Sequence, residues 1–292
     1  MVAEIKKILK KNLSFFFTAP AVLASLIMLW LPVFILLFRS FFNETTSHFT
    51  ISHYNHFYNP LFIKVISTSL FFAFSTTLGT LLLGYPVSYF IAFYVTKKKL
   101  LYVFLLSLPF WTNIIVQVYA WLFILEREGL LNKCLLYLGI INDPIEMLYN
   151  QWTILVVMVY CYLPFMIIPL YNALEKIDKT MLEASKDLGA TDWQTLQKIT
   201  IPLSIDGIRT GIILVFVPSF GEFIIPALIG GSKSFSVGAL ISFYYIEMYN
   251  KLLGATFTII ASIALICAVL CMYTFIHYFF QSAQQQKIKN EK

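Results

Sequence analysis

One acidic side chain, Glu222, stands well inside an apolar segment of this sequence. Burying a carboxylate in hydrocarbon is costly unless it faces a cavity or a partner, so an acid in this setting is a candidate functional group. Such a carboxylate can balance the charge of an ammonium group, and aromatic faces also attract cations. With the aromatic residues Phe220, Trp111 and Tyr160 it forms the candidate path for a cation. The alternatives are a structural hydrogen bond for Glu222 and interfacial anchoring for most of the aromatic side chains.

A second pattern lies in a polar stretch between two long apolar segments, and it consists of Glu183-Ala184-Ser185, Gly189-Ala190 and Ile199-Thr200-Ile201-Pro202. Apolar residues recur at helical spacing before Gly189, which stands where the end of a helix favours a left-handed residue. Thr191 and Gln194 match a capping box for a second short helix, and Pro202 is expected to mark its end. The sequence therefore predicts two short helices joined by a glycine turn. Such a compact knob can fit a cleft on a soluble partner.

The composition indicates the class of protein in which these residues lie. Of 292 residues, 59% are hydrophobic and 12% are charged, and the mean hydropathy is +0.77. Soluble domains carry about 25% charged residues, so a large soluble domain is excluded and an all-α membrane protein is expected. The cysteines form no C-x-x-C pair, and the histidines fit no metal site.

Six segments are long enough to cross a bilayer, which takes about 20 residues. They lie near residues 19–42, 65–95, 100–125, 152–172, 208–229 and 255–280.

The loops joining these segments alternate in basic charge. The lysine-rich ones are the N-terminus, residues 97–99, residues 176–198 and the C-terminal tail. Because basic loops stay on the cytoplasmic side, both termini are predicted to be cytoplasmic. The predicted organisation is a cytoplasmic segment (1–18), a six-span domain (19–280) and a cytoplasmic tail (281–292).

The polar pattern resembles the EAA motif of ABC importer permeases, the segment that docks onto the ATP-hydrolysing subunit. We name residues 173–207 the EAA-type loop. The resemblance to the permease subunits of spermidine/putrescine importers, the PotB type, runs from about residue 60 to 260. Ser185 and Ile201 depart mildly from the motif, since they replace an alanine and a leucine. Besides the EAA motif itself, the resemblance rests on residues 109–113, 163–165, 169–171, 175–179, 218–223 and 230–231.

This resemblance implies a type I importer (MetI-like) transmembrane fold with its core at about residues 65–275. It also implies a PotC-like second permease, a PotA-like homodimeric ATPase and a PotD-like external polyamine-binding protein. The sequence has no Gly-x-x-x-x-Gly-Lys-[Ser/Thr] phosphate loop, so ATP and Mg²⁺ are expected to be used by the partner ATPase and no cofactor by this chain.

The expected function is therefore that of a non-enzymatic permease in the bacterial inner membrane, moving polyamines by alternating access. One alternative keeps the class and changes the cargo to iron, thiamine or an opine. A proton-coupled secondary transporter would need several paired intramembrane acids or histidines, whereas this sequence has one such acid. A purely structural membrane scaffold would leave the spacing of the EAA-type loop unexplained.

Overall fold

The computed structural model describes residues 2–42, 49–231 and 235–290. Short π-helical turns at Leu196–Thr200 and Phe243–Glu247 and a 3₁₀ turn at His56–Tyr58 connect some of its helices. The helices are α1 (Val2–Phe41), α2 (Ser52–Asn55), α3 (Pro60–Phe93), α4 (Lys99–Trp111), α5 (Ile114–Leu125), α6 (Leu130–Tyr137), α7 (Gln151–Leu174), α8 (Lys179–Asp187), α9 (Asp192–Thr195), α10 (Ile201–Leu203), α11 (Ile205–Phe220), α12 (Ile224–Gly230), α13 (Val237–Ser242) and α14 (Lys251–Asn290).

The helices agree with the predicted all-α, six-span class. Among the described residues, 4 helical segments are long and apolar enough to cross a membrane, and two bent helix pairs bring the number to 6. The four unbroken segments are Thr18–Phe41, Pro60–Phe93, Gln151–Leu174 and Lys251–Ile276. They match four of the six predicted spans within a few residues.

The predicted span 100–125 is not one continuous helix. The helical axis turns by 89° between Lys99–Trp111 and Ile114–Tyr137. Pro109 lacks an N–H, and Asn113 begins a new helix by accepting a hydrogen bond from the N–H of Ile115 at 2.8 Å. The two-residue break therefore has a local cause that hydropathy does not register.

The predicted span 208–229 is also interrupted. α11 ends at Phe220, and α12 begins only at Ile224, so Glu222 lies in the connection between them. At its other end, α11 is bent by 69° from the segment Asp192–Leu203, at a break that falls on Ser204. The sequence-based prediction therefore missed the break inside this span and the bend that precedes it.

Two groups of residues form separate contact units. The smaller comprises the described residues of 1–58 and 244–260. In it, the Tyr54 hydroxyl donates to Ser40 Oγ at 2.9 Å, and the rings of Phe57 and Phe257 lie 5.4 Å apart. The larger comprises the described residues of 59–243 and 261–290, and its core is built around α7, which packs against α3 and α11.

Small residues spaced four apart form one face of α3, and all of them are buried. The face packs closely on α7: a Cβ on Gly84 would lie 3.2 Å from Met166 Cγ, and Ser88 Oγ donates to the carbonyl of Ile167 at 3.2 Å. Close approach of two helices through small residues is typical of membrane helix pairs. We name this face the small-residue stripe of α3, and it consists of Thr76, Thr80, Gly84, Ser88 and Ala92.

Candidate functional site

The EAA-type loop is anchored where it leaves α7. Leu174 and Ile177 are buried in a small apolar cluster with Ile91 of α3. Asp178 caps α8 by accepting a hydrogen bond from the N–H of Thr180 at 3.0 Å, and this bond lowers the pKa of the Asp178 carboxyl. The first helix of the loop therefore begins at a position fixed by burial and by a cap.

The turn after α8 depends on Gly189. Its φ of +82° lies in the left-handed region, as the sequence predicts. The N–H of Gly189 bonds to the carbonyl of Lys186 at 2.8 Å, and the N–H of Ala190 bonds to that of Ser185 at 3.0 Å. This pair of bonds is the Schellman ending of a helix, which satisfies carbonyls that the helix leaves free.

The second helix begins as predicted, and it ends close to Pro202 as predicted. Thr191 and Gln194 form both hydrogen bonds of the capping box, at 3.0 and 3.3 Å. The helix widens into the π-helical turn Leu196–Thr200 and continues through Ile201–Leu203. It ends at Leu203, directly after Pro202, and the break follows at Ser204.

Two side-chain pairs join the two helices of the loop. The buried hydroxyls of Ser185 and Thr195 lie 2.8 Å apart. The ammonium of Lys186 lies 2.7 Å from the Asp192 carboxylate, and this bond raises the pKa of Lys186. Ser185, at the third position of the motif, thus acts inside the loop, because its hydroxyl holds α8 against α9.

The remaining motif residues differ in exposure. Ala190, Ile199 and Pro202 are half-buried, whereas Glu183, Ala184 and Gly189 are exposed. Several large apolar side chains are exposed beside them on this short polar segment, with Leu188 at 89%. An exposed apolar patch rimmed by polar groups is typical of a protein-protein contact site. We use the name apolar patch for the exposed side chains Met181, Leu188 and Trp193 of this segment.

The carboxyl of Glu222 is buried, with 8% of the residue exposed, and it accepts three hydrogen bonds. Tyr162 of α7 donates its hydroxyl to Oε2 at 2.7 Å. The N–H groups of Ile224 and Ile225 donate to Oε1 at 2.9 and 3.5 Å, so the side chain caps α12. The expectation that Glu222 passes a cation stays a prediction. The alternative, a structural hydrogen bond to a neighbouring helix, is formed with Tyr162.

The other candidates for a cation path lie in different surroundings. Phe220 is buried at 3% exposure, while Trp111 is 73% and Tyr160 39% exposed. The ring of Tyr160 meets that of Trp121 edge to face, with centroids 5.3 Å apart. Among the described side chains, no hydrogen bond or ring contact joins Trp111 or Tyr160 to Glu222. The path that these residues were predicted to form with Glu222 therefore stays a prediction.

A polar contact at the break between α4 and α5 was missed from the sequence. The Gln117 amide nitrogen donates to Thr112 Oγ1 at 2.7 Å and also to the carbonyl of Pro109. Its carbonyl oxygen accepts a weak hydrogen bond from the thiol of Cys161, 3.7 Å away. A lone glutamine in an apolar segment, four residues after a helix-capping asparagine, is the signal that would have indicated this role.

Comparison with known proteins decides the family. A family model described as "Binding-protein-dependent transport system inner membrane component" matches residues 84–285. The chain belongs to this family. Its members are permeases of ABC importers, so the chain is a multi-pass inner-membrane transport subunit and not an enzyme.

Individual relatives agree with this family. The chain is 39% identical over 217 residues to the spermidine/putrescine transport system permease protein PotB of Escherichia coli K12, covering 74% of this chain and 79% of that protein. It is 33% identical over 278 residues to the protein of the same name from Haemophilus influenzae, covering 91% and 96%. This likeness confirms the predicted resemblance to PotB-type permeases.

A solved structure supports the fold of this permease. The crystal structure of a bacterial ABC transporter involved in the import of the acidic polysaccharide alginate contains a chain that matches with a TM-score of 0.73. The match covers 96% of this chain and 99% of that chain at 18% identity, which establishes a shared fold.

Proposed function

We propose that this permease moves polyamines, spermidine or putrescine, across the inner membrane by alternating access. The observation that carries the transport mechanism is the geometry of the EAA-type loop. A compact pair of helices with exposed Glu183 and Ala184 connects α7 to α11, so a partner that moves it acts directly on both. The cargo is inferred from relatives whose names specify spermidine and putrescine.

The orientation of the chain follows from its basic residues. The lysines that precede α1, those between α3 and α4, those of the EAA-type loop and those at the C-terminus fall on one side of the predicted spans. The positive-inside rule places that side in the cytoplasm, together with both termini. This orientation exposes the apolar patch of Met181, Leu188 and Trp193 to cytoplasmic partners.

The proposed assembly has four kinds of subunit. A PotC-like permease pairs with this chain, a PotA-like ATPase dimer contacts the EAA-type loop, and a PotD-like external protein delivers the cargo. The sequence carries no phosphate-binding loop, which supports assigning ATP and Mg²⁺ to the ATPase. We propose that the patch on the EAA-type loop seats in a cleft of that subunit.

The aromatic side chains suit a polyammonium cargo. Trp111 and Tyr160 present exposed ring surface, which can attract an ammonium group through its face. Phe220 and Glu222 are buried, so neither presents surface to cargo in this structure. We therefore propose Trp111 and Tyr160 as the first contacts along the path.

The test is transport by the reconstituted importer in vesicles whose lumen corresponds to the external side of the membrane. The complete complex is placed in vesicles with the ATPase outside and the binding protein inside, and radiolabelled spermidine is supplied inside. We expect export from the vesicle lumen that requires ATP, persists when the membrane potential is collapsed, and stops when the phosphate-loop lysine of the ATPase is replaced by alanine. Iron, thiamine and an opine serve as competing cargoes.

Two results would contradict the proposal. Transport that stops on collapse of the potential and ignores ATP would indicate a secondary transporter. Transport of one of the competing cargoes, with none of spermidine or putrescine, would keep the importer class and reject the polyamine assignment.

A further inference from the structure

Two helices flank the EAA-type loop in the chain and pack against each other. α7 enters the loop and α11 leaves it. They are in close contact near the loop, because a Cβ on Gly207 would lie 2.5 Å from that of Ala173, and one on Gly211 would lie 2.6 Å from Met166 Sδ. Glycines four residues apart allow two membrane helices to pack at backbone distance. The ends of α7 and α11 at the loop are thus fixed to each other.

The same two helices are joined again far from the loop. Tyr162 precedes the end of α7 by about 18 Å, and Glu222 follows a helix about 24 Å long, at 1.5 Å per residue. At this level the Tyr162 hydroxyl donates to the Glu222 carboxyl at 2.7 Å. α7, the EAA-type loop and α11 therefore form a closed frame, with glycine contacts at one end and a hydrogen bond at the other.

Glu222 also connects this frame to the elements that follow. Its side chain caps α12 through the N–H of Ile224. Its backbone carbonyl accepts a hydrogen bond from the hydroxyl of Ser236, which in turn caps α13 through the N–H of Ala239. The next N–H, that of Val237, donates to Ser69 Oγ of α3 at 2.8 Å. A single residue thus contacts α7, α12 and the start of α13.

We propose that Glu222 is a positioning residue, whose hydrogen bond with Tyr162 makes α12 and α13 follow movements of the EAA-type loop. The inference rests on the proposed function, because it assumes that the loop is moved by an ATPase. It assigns to Glu222 the transmission of movement and leaves contact with cargo to other residues. Tyr162, which the sequence did not single out for this role, is its partner.

The two roles differ in whether they need the negative charge of residue 222. A glutamine has nearly the same shape, its oxygen can accept from the N–H of Ile224, and its NH₂ can donate to the Tyr162 oxygen. It therefore keeps the connections and loses only the charge. A cargo-binding role needs the negative charge, whereas a positioning role needs only the hydrogen bonds.

The experiment uses the complete importer with Glu222→Gln, Tyr162→Phe and, as a matched control, Tyr102→Phe, which removes the hydroxyl of an exposed tyrosine in α4. Two quantities are measured: spermidine moved per ATP hydrolysed, and the KM for the loaded binding protein. For Tyr162→Phe we expect the transport-to-ATP ratio to fall about fivefold to tenfold, the size of one buried hydrogen bond, with KM unchanged. Glu222→Gln and Tyr102→Phe should keep both quantities within about twofold of wild type.

Several outcomes would overturn the proposal. A wild-type ratio in Tyr162→Phe would show that the hydrogen bond transmits nothing. A large loss of uptake in Glu222→Gln would show that the charge matters, and this variant decides the matter even if Tyr162→Phe does not assemble. If the wild-type complex hydrolyses ATP but moves no polyamine, the cargo assignment fails instead, and the same ratio is measured with the cargo that it does move.

Discussion

Replacing Gly189 by valine puts a β-branched side chain at a φ of +82°. A Cβ added there meets nothing within 4 Å among the residues that the structure describes, so the cost comes from the backbone alone. The left-handed conformation costs an ordinary residue about 1–2 kcal/mol, and strain at such positions reaches about 3 kcal/mol. We expect about 1 kcal/mol for alanine, about 2–3 kcal/mol for valine, and a few tenths for asparagine, which tolerates this region.

This strain acts on the shape of the EAA-type loop. The Schellman bonds of Gly189 and Ala190 require the left-handed turn, and without it α8 and α9 no longer meet through Ser185 and Thr195. A cost of about 2 kcal/mol lowers the ratio of loops in the docking-competent shape to loops in other shapes roughly 30-fold. Spermidine moved per ATP should therefore decline in the order glycine, asparagine, alanine, valine.

The assay compares the four proteins in the reconstituted importer, with transport and ATP hydrolysis measured on the same vesicles. Size-exclusion chromatography confirms that each complex has assembled. Full coupling in the valine variant would refute the reasoning, and so would an asparagine variant that couples worse than alanine. Either result would mean that the turn does not need a left-handed residue for docking.

Three further changes test other parts of the structure. Thr191→Ala removes the capping box and should weaken the second helix by about 1 kcal/mol, seen as faster amide hydrogen exchange over residues 191–200, while Thr191→Ser should exchange like wild type. Gly207→Val forces a side chain into Ala173 and the carbonyl of Pro169 and should cost about 1–3 kcal/mol or more, lowering the melting temperature of the complex. Its control is Gly221→Ala, where the nearest described atom lies 3.9 Å away; equal melting temperatures for the two would contradict the packing argument. Leu188→Glu places a charge in the exposed apolar patch and should reduce crosslinking of the EAA-type loop to the ATPase, whereas an unchanged crosslinking yield would place the contact elsewhere.

The local structure of the EAA-type loop could be predicted because its signals are local. A glycine after an amphipathic helix and a threonine three residues before a glutamine fix backbone geometry over five or six residues. The contact of Ser185 with Thr195 could not be predicted in this way. It exists only after the turn has folded one helix back on the other. Pro202 did indicate the end of the second helix, which stops at the following residue, because proline interrupts the continuation of a helix.

Spans were predicted better than the breaks within them. Averaged hydropathy depends on composition, and it stays high across Thr112-Asn113 and across Gly221-Glu222-Phe223 although the helices stop there. Pro109 can distort a helix because it lacks an N–H, but the residue type alone does not specify the angle. The angle depends on which side chains form hydrogen bonds with the freed backbone groups. One of these side chains, Gln117, belongs to the following helix and donates to the carbonyl of Pro109.

Glu222 shows where reasoning from sequence ends. An acid in an apolar segment is conspicuous, so the residue was found. Its partner Tyr162 lies 60 residues away in the chain and is one of 17 tyrosines. Only the packing of α7 beside α11 selects it.

The small-residue stripe of α3 reverses a familiar rule about mutations. In the interior of a water-soluble protein, the most harmful changes shorten large side chains, because they remove apolar surface and leave a void. Along this stripe there is almost nothing to shorten, and nearby lipid would solvate an added methyl group as well as the protein does. Enlarging Ser88 to leucine would instead push α3 away from α7, because the Ser88 hydroxyl lies 3.2 Å from the carbonyl of Ile167. Tolerance in this part of the molecule is therefore governed first by an upper limit on side-chain volume.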